Sequence, residues 1–197
     1  GDTHTGVLGA TIYAASSGPG GRGGKIYGAF LSTTDRPDYK GDRLFRLIHG
    51  ADPHLLCVPS LHIAIIVLCF TFYRMFFERE GFTEAEKVTW NSSLYREAVA
   101  IAESVLYIKQ HSVNCVPAAL YMISKVFPDL FKATDAVQFI GEMFTNPQGM
   151  SGESAAEVRE HLLFVYERFL LEGAHEDDWR SPVQLWLLEY GEPAQEQ

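Results

Sequence analysis

Cysteine is scarce in this chain. The three residues, Cys57, Cys69 and Cys115, are an odd number without metal-ligand spacing, so neither a disulfide framework nor a zinc site is expected. Cys57 and Cys69 sit in apolar surroundings and read as small buried hydrophobes. Positive charge is also in short supply: 16 Lys and Arg face 25 Asp and Glu, a net charge of −9 spread along the chain. Phosphate-backbone contacts need concentrated Lys and Arg, which argues against a nucleic-acid partner while leaving room for a local basic pocket. Strand alternation long enough for a sheet is missing, and so is any internal repeat. The glycine-rich stretch "SSGPGGRGGK", Ser16 to Lys25, fails as a phosphate-binding loop. Pro19 stands where the first glycine belongs, and Ile26 follows the lysine where Ser or Thr is required. It reads as a mobile loop. No signal-peptide pattern follows Gly1, and a mature chain would look the same.

Apolar residues are plentiful, at 47% of the chain, enough for a sizeable core. They divide the chain into a glycine-rich N-terminal segment, residues 1–40, and a single helical domain, residues 41–197. One run stands out: Leu55 to Tyr73, "LLCVPSLHIAIIVLCFTFY", has nineteen residues without a formal charge, about the minimum for a membrane span. Pro59, Ser60 and His62 interrupt its first half, so it reads as a buried central helix or a single membrane-dipping one. The helix is expected from Pro59 to Phe77, with proline in the first turn where its missing N–H costs nothing. Thr83-Glu84-Ala85-Glu86 has capping-box spacing and starts a short helix. From Ser93, Leu94, Ala98, Ile101, Val105 and Ile108 form one apolar stripe. Further helices are expected over Pro117 to Val126, after Thr134, and through "SGESAAEVREHLLFVYERFLLEG" with Val158, Leu162, Val165 and Phe169 on one face and Gly173 at its end. Ser181-Pro182 begins a last short helix that stops at Gly191. The fold class is all-α.

Two histidines stand at helix edges, 49 positions apart. His62 lies in a first turn, where unpaired N–H groups and the helix dipole favour an anion and the Ser60 hydroxyl adds a donor. His111 follows "SVLYIKQ" at the end of the striped helix, with Lys109 two residues earlier. If these helices are antiparallel neighbours, both imidazoles and Lys109 meet at one end of the bundle. Phosphoryl transfer needs such a set: a neutral imidazole to attack phosphorus, a protonated one for the leaving oxygen, and positive charge on the remaining oxygens. Taken singly, each residue has a plainer reading. His62 could be a core histidine bonded to a carbonyl, Lys109 a helix C-terminal charge, and Arg36 a surface loop residue. His161 reads as structural, and His49 and His54 flank a turn, "GADP", that could line the site.

"CVPSLHIA" followed by "SVLYIKQHSVNC" resembles the second and third signature motifs of the type 2 phosphatidic acid phosphatase family, which shares its helical core with the vanadium haloperoxidases. Pro59, Ser60 and His62 match the family's Pro-Ser-x-His. Ser104 precedes His111 by seven positions, as the family's serine precedes its nucleophile, and Lys109-Gln110 match a Lys-Gln found in some bacterial members. Arg36-Pro37 is the candidate for the end of the first motif. The similarity spans roughly Arg36 to Val126. It implies that His111 attacks phosphorus to form a phosphohistidine and that His62 protonates the leaving alcohol and then activates water. Ser60, the Leu61 amide, Arg36 and Lys109 would hold the phosphate oxygens. The chain departs from the family at Ala29, where a lysine belongs, and at Val105, where an arginine belongs. Cys115 stands in place of the aspartate that orients the nucleophile, and Asn114, one position off, is the other candidate for that role.

The expectation is therefore a helical bundle of this phosphatase type, a hydrolase or phosphotransferase of phosphate monoesters on a small molecule or lipid, without metal or cofactor. Such a protein belongs in the cell envelope, membrane-associated or periplasmic. Two alternatives stand beside it: a catalytically degenerate member of the same fold that binds an anion or a partner protein, and a helical interaction protein that docks a partner through an exposed C-terminal amphipathic helix. The oligomeric state is left open.

Overall fold

The computed structural model describes residues 30–31, 43–44, 47, 57–108, 111–147 and 149–191. Most of the glycine-rich segment, Arg36, His49, His54, Lys109 and Gln110 lie outside the described residues. Among the described residues, from Leu61 onward, six helices follow one another: α1 (Leu61–Arg79), α2 (Glu84–Tyr107), α3 (Cys115–Val126), α4 (Ala133–Glu142), α5 (Gly152–Glu172) and α6 (Arg180–Gly191). The class is all-α, as the periodicities require. A two-residue antiparallel pair joins Phe30–Leu31 (β1) to Cys57–Val58 (β2), with Phe30 opposite Val58.

Local chemistry starts α1, α2, α4 and α5. Ser60 caps α1, its Oγ accepting the Ile63 N–H at 3.4 Å, so Pro59 sits just outside the helix instead of at its first position. Gly81, at φ 72°, takes the left-handed backbone that lets the chain leave α1 and turn back. Two residues later the Thr83–Glu86 capping box opens α2, with the Thr83 N–H donating to Glu86 Oε2 at 2.9 Å. The short helix expected there and the striped helix from Ser93 are one 24-residue element, because no breaker separates them. Its buried face is Ala98, Val99, Ala102 and Val105, while Ile101 of the expected stripe is turned outward. Ser151 caps α5 by accepting the Ser154 N–H at 3.0 Å, and the Asp135 carboxylate accepts the Lys132 N–H at the start of α4.

The buried centre of the bundle is α3, not the long apolar helix. Cys115 to Tyr121 and Ile123 are buried, and α3 packs against α1, α4 and α5. The apolar face of α5, Leu162, Val165, Tyr166 and Phe169, turns inward against α3, so the exposed docking face expected of that helix is spent on the core. Cys69 also departs from expectation: it is exposed on α1, whereas Cys115 is buried. Phe70, Tyr95, Phe131 and Phe139 form an aromatic knot joining α1, α2 and α4, with Phe70 edge-on to Tyr95 at 5.4 Å. Arg74 closes that corner, donating from Nη2 to the Leu130 carbonyl at 2.6 Å and pairing with Asp135 at 3.4 Å. Phe144, at φ 55°, carries backbone strain after α4. Glu103 accepts its N–H, and Arg159 donates to its carbonyl at 2.9 Å.

Helix α1 keeps much of its apolar surface in the open. Ile65, Phe72, Tyr73, Met75 and Phe76 are exposed, and only 33% of its apolar window is buried. It is long and apolar enough to cross a membrane, with a mean hydropathy of 1.6.

At the far end of α5, Tyr121 lies directly on Gly173. A methyl group there would collide with the Tyr121 hydroxyl and come within 2.9 Å of the Phe169 carbonyl. Both neighbours are held in the core, so Gly173→Ala should cost about 1–3 kcal/mol, read as a lower urea midpoint with unchanged slope.

Candidate functional site

Three short-range facts build the site. The Ser60 cap fixes the first turn of α1 and so the start of the ring-bearing His62. After α2, Ile108 closes the last turn onto the Ser104 carbonyl at 2.9 Å, and the His111 N–H reaches back to the Val105 carbonyl at 3.3 Å. Cys115 then begins α3, its N–H on the Ser112 carbonyl at 3.1 Å. The two helix starts are tied together: the Ser60 N–H donates to the Cys115 carbonyl at 3.3 Å.

That tie brings the two histidines together. His62 Nδ1 lies 2.8 Å from His111 Nε2, with ring centroids 5.0 Å apart at an interplanar angle of 68°. Both rings are half-buried. One nitrogen must carry the proton and the other the lone pair, so the pair shares at most one bridging proton, and a second proton on the acceptor breaks the contact. The rings sit beside the N-termini of α1 and α3, whose dipoles both present partial positive charge.

The remaining candidates separate into those the structure places and those outside the described residues. Ser60 is fully buried; its Oγ caps Ile63 and its N–H is spent on Cys115, which leaves the hydroxyl proton as its remaining donor. The Leu61 amide lies in the first turn of α1, where no intrahelical carbonyl is in reach. Ser104 is exposed and donates to the Ile101 carbonyl of its own helix at 2.8 Å. Arg36 and Lys109 are outside the described residues. Among the described residues no three His, Cys, Asp or Glu side chains gather as metal ligands.

Cys115 is fully buried, and desolvation pushes its thiol up to about 11 in spite of a 3.4 Å contact with the Ser112 hydroxyl. At neutral pH it is an uncharged thiol and cannot supply the charge of a carboxylate. Asn114 is buried as well, and its Oδ1 lies 2.9 Å from Nε2 of His161 on α5. Burial lowers the pKa of His161 and so favours the neutral ring, which donates to Oδ1 in its Nε2–H tautomer. His161, expected to be structural, ties α5 through this bond to the turn that carries His111. Its spacing from Val158 and Val165 puts it on the apolar stripe of α5, and a histidine on that stripe was the available signal. Asn114 Nδ2 has no hydrogen-bond partner among the described residues, a state that costs roughly 1–3 kcal/mol for a buried group.

A separate cavity of about 350 Å³ opens between α1, α2 and α4, lined in part by Phe70, Arg74, Tyr95, Arg96, Asp135 and Glu142. Phe70 is eight residues along α1 from His62, about 12 Å at the helical rise, so this cavity is not the histidine site.

No family model, curated protein or solved structure matches the chain.

The two described thiols differ in reach and in charge. Maleimide should label Cys69 in the folded protein and Cys115 only after denaturation, as peptide mass mapping would show. Because the folded state raises the Cys115 pKa from 9.0 to about 11, the unfolded chain ionises first, and stability falls as pH rises through that window. Between those limits wild type should lose on the order of 1–3 kcal/mol more than Cys115→Ala, measured by denaturant unfolding.

Proposed function

We propose that His62 and His111 form the reactive pair of a phosphomonoesterase or phosphotransferase, built on a helical core like that of the type 2 phosphatidic acid phosphatases. The observation that carries this reading is the 2.8 Å contact between two imidazoles 49 residues apart, set at the adjoining N-termini of two helices. His111 Nε2 attacks phosphorus and forms a P–N bond while the P–O ester bond breaks. His62 gives its proton to the departing alcohol oxygen. It then takes a proton from water, whose oxygen attacks the phosphohistidine, breaking the P–N bond and releasing phosphate; an alcohol in place of water makes the same step a transfer. The Ser60 hydroxyl and the Leu61 amide serve the non-bridging oxygens, and the motif resemblance adds Arg36 and Lys109.

Substrate has to open the pair. Attack at about 3 Å, a P–O bond of about 1.6 Å and a hydrogen bond of about 2.8 Å together span about 7 Å in line. The resting 2.8 Å contact is therefore a closed state, from which the rings part by about 4 Å as a phosphoryl group enters. The exposed apolar side of α1 supports a lipid-borne phosphate at a membrane surface as the substrate class.

A second reading has its own observation. The orienting position holds a neutral thiol, and Asn114 is turned toward His161, so nothing of carboxylate charge steadies His111 from these two positions. A related loss costs about 10⁴ in rate in Ser-His-Asp enzymes. The same centre would then bind an oxyanion with little or no turnover.

Hydrolysis of p-nitrophenyl phosphate separates the readings. Turnover should vanish in His111→Ala and fall about 10²–10⁴-fold in His62→Ala. Orthovanadate should inhibit it and raise the melting temperature. A melting shift without turnover supports the binding-only reading. Turnover that survives His111→Ala, or the absence of both turnover and shift, rejects the centre.

A further inference from the structure

We propose that Asn114 is a ligand-binding residue of this centre, its Nδ2 a fixed donor to a tetrahedral oxyanion, and that His161 is the positioning residue that holds it. The inference rests on the reading of the histidine pair as an anion site and assigns it two further residues. Asn114 occupies the N-cap position of α3, yet its side chain makes no capping bond to that helix. The side chain is 3% exposed. Its oxygen end faces His161 Nε2 at 2.9 Å, the arrangement in which the ring donates as its Nε2–H tautomer. The nitrogen end is left buried and without a partner among the described residues. Buried amide donors in that condition call for an explanation, and an absent acceptor is the direct one.

The placement says which acceptor. Asn114 lies three residues after His111 on the same turn, next to the Cys115 carbonyl that receives the Ser60 N–H. Two helix N-termini meet there, and both favour negative charge. The Ser60 hydroxyl and the Leu61 amide come from the start of α1, and Asn114 Nδ2 from the start of α3. A planar carboxylate offers two oxygens, whereas a phosphate-like tetrahedral anion offers an acceptor to each of the three. His161 reaches this turn from α5, 47 residues away, and does not contact the pair itself in any bond described above. Its effect on binding therefore runs through the amide it orients.

Calorimetric titration of the folded protein with orthovanadate and with inorganic phosphate tests the assignment. Asn114→Ala should weaken vanadate binding about 10–30-fold, and Asn114→Asp more, since it replaces a donor with a like charge. His161→Leu should weaken it about as much as Asn114→Ala, while His161→Gln, which keeps an N–H donor, should stay within about threefold of wild type. The double variant Asn114→Ala with His161→Leu should bind no more weakly than the worse single one, because both changes remove one interaction. A merely structural histidine would instead give additive losses and no rescue by glutamine, which rejects the positioning role. If Asn114→Ala does not fold, Asn114→Ser takes its place with the same expected loss. Wild-type binding that Asn114 variants leave unchanged overturns this inference and spares the histidine pair. Absence of binding by the wild type overturns both.

Discussion

The junction between the starts of α1 and α3 is the constraint on which the rest of this molecule turns. One backbone hydrogen bond, from Ser60 to the Cys115 carbonyl, sets two helix N-termini side by side. Each end carries roughly half a positive charge from its aligned peptide dipoles, so the arrangement is electrostatically unfavourable while no anion sits near it. The groups placed there are consistent with that field: no acidic residue in the first turn of either helix, a serine whose cap bond stops α1 from fraying, and two imidazoles. A junction of this kind is costly to the fold, and the anion site proposed above offsets that cost.

What allows the junction is the packing behind it. Helix α3 is short and buried on nearly all sides, so it must be covered by α1, α4 and α5 together. That demand brings α5, and with it His161, against the turn that carries His111. The same demand explains why α1 is left half in the open. It covers α3 and α2 with one face, through Ile63, Ala64, Val67, Phe70 and Phe77, and none of the helices α2 to α6 covers the other. The exposed Phe72, Tyr73, Met75 and Phe76 are the remainder of a helix more apolar than its contacts require.

Local signals were legible where one residue type had one physical use. The Thr83–Glu86 box, Gly173 after α5 and the inward stripe of Val158, Leu162, Val165 and Phe169 all follow from short-range rules. Signals that depend on competition between segments were not. Periodicity showed that α1 and α3 are both apolar, but which of them lies at the centre depends on how many neighbours each acquires. Val99 and Ile101 lie on opposite flanks of the stripe centred on Ala98, Ala102 and Val105, and tertiary packing buried the first and left the second exposed. Cys69 sits in a run as apolar as that around Cys115 and is nevertheless exposed, for the same reason.

By itself the sequence determined the helices, most of their caps, and the presence of two imidazoles at helix edges, because hydrogen bonding within a turn and the 3.6-residue period act over a few residues. Only the tertiary structure decided that those imidazoles touch, that Cys115 is a neutral buried thiol, and that Asn114 answers to a histidine 47 residues away. Each of these depends on which faces are packed together, and packing is a property of the whole set of helices competing to cover α3.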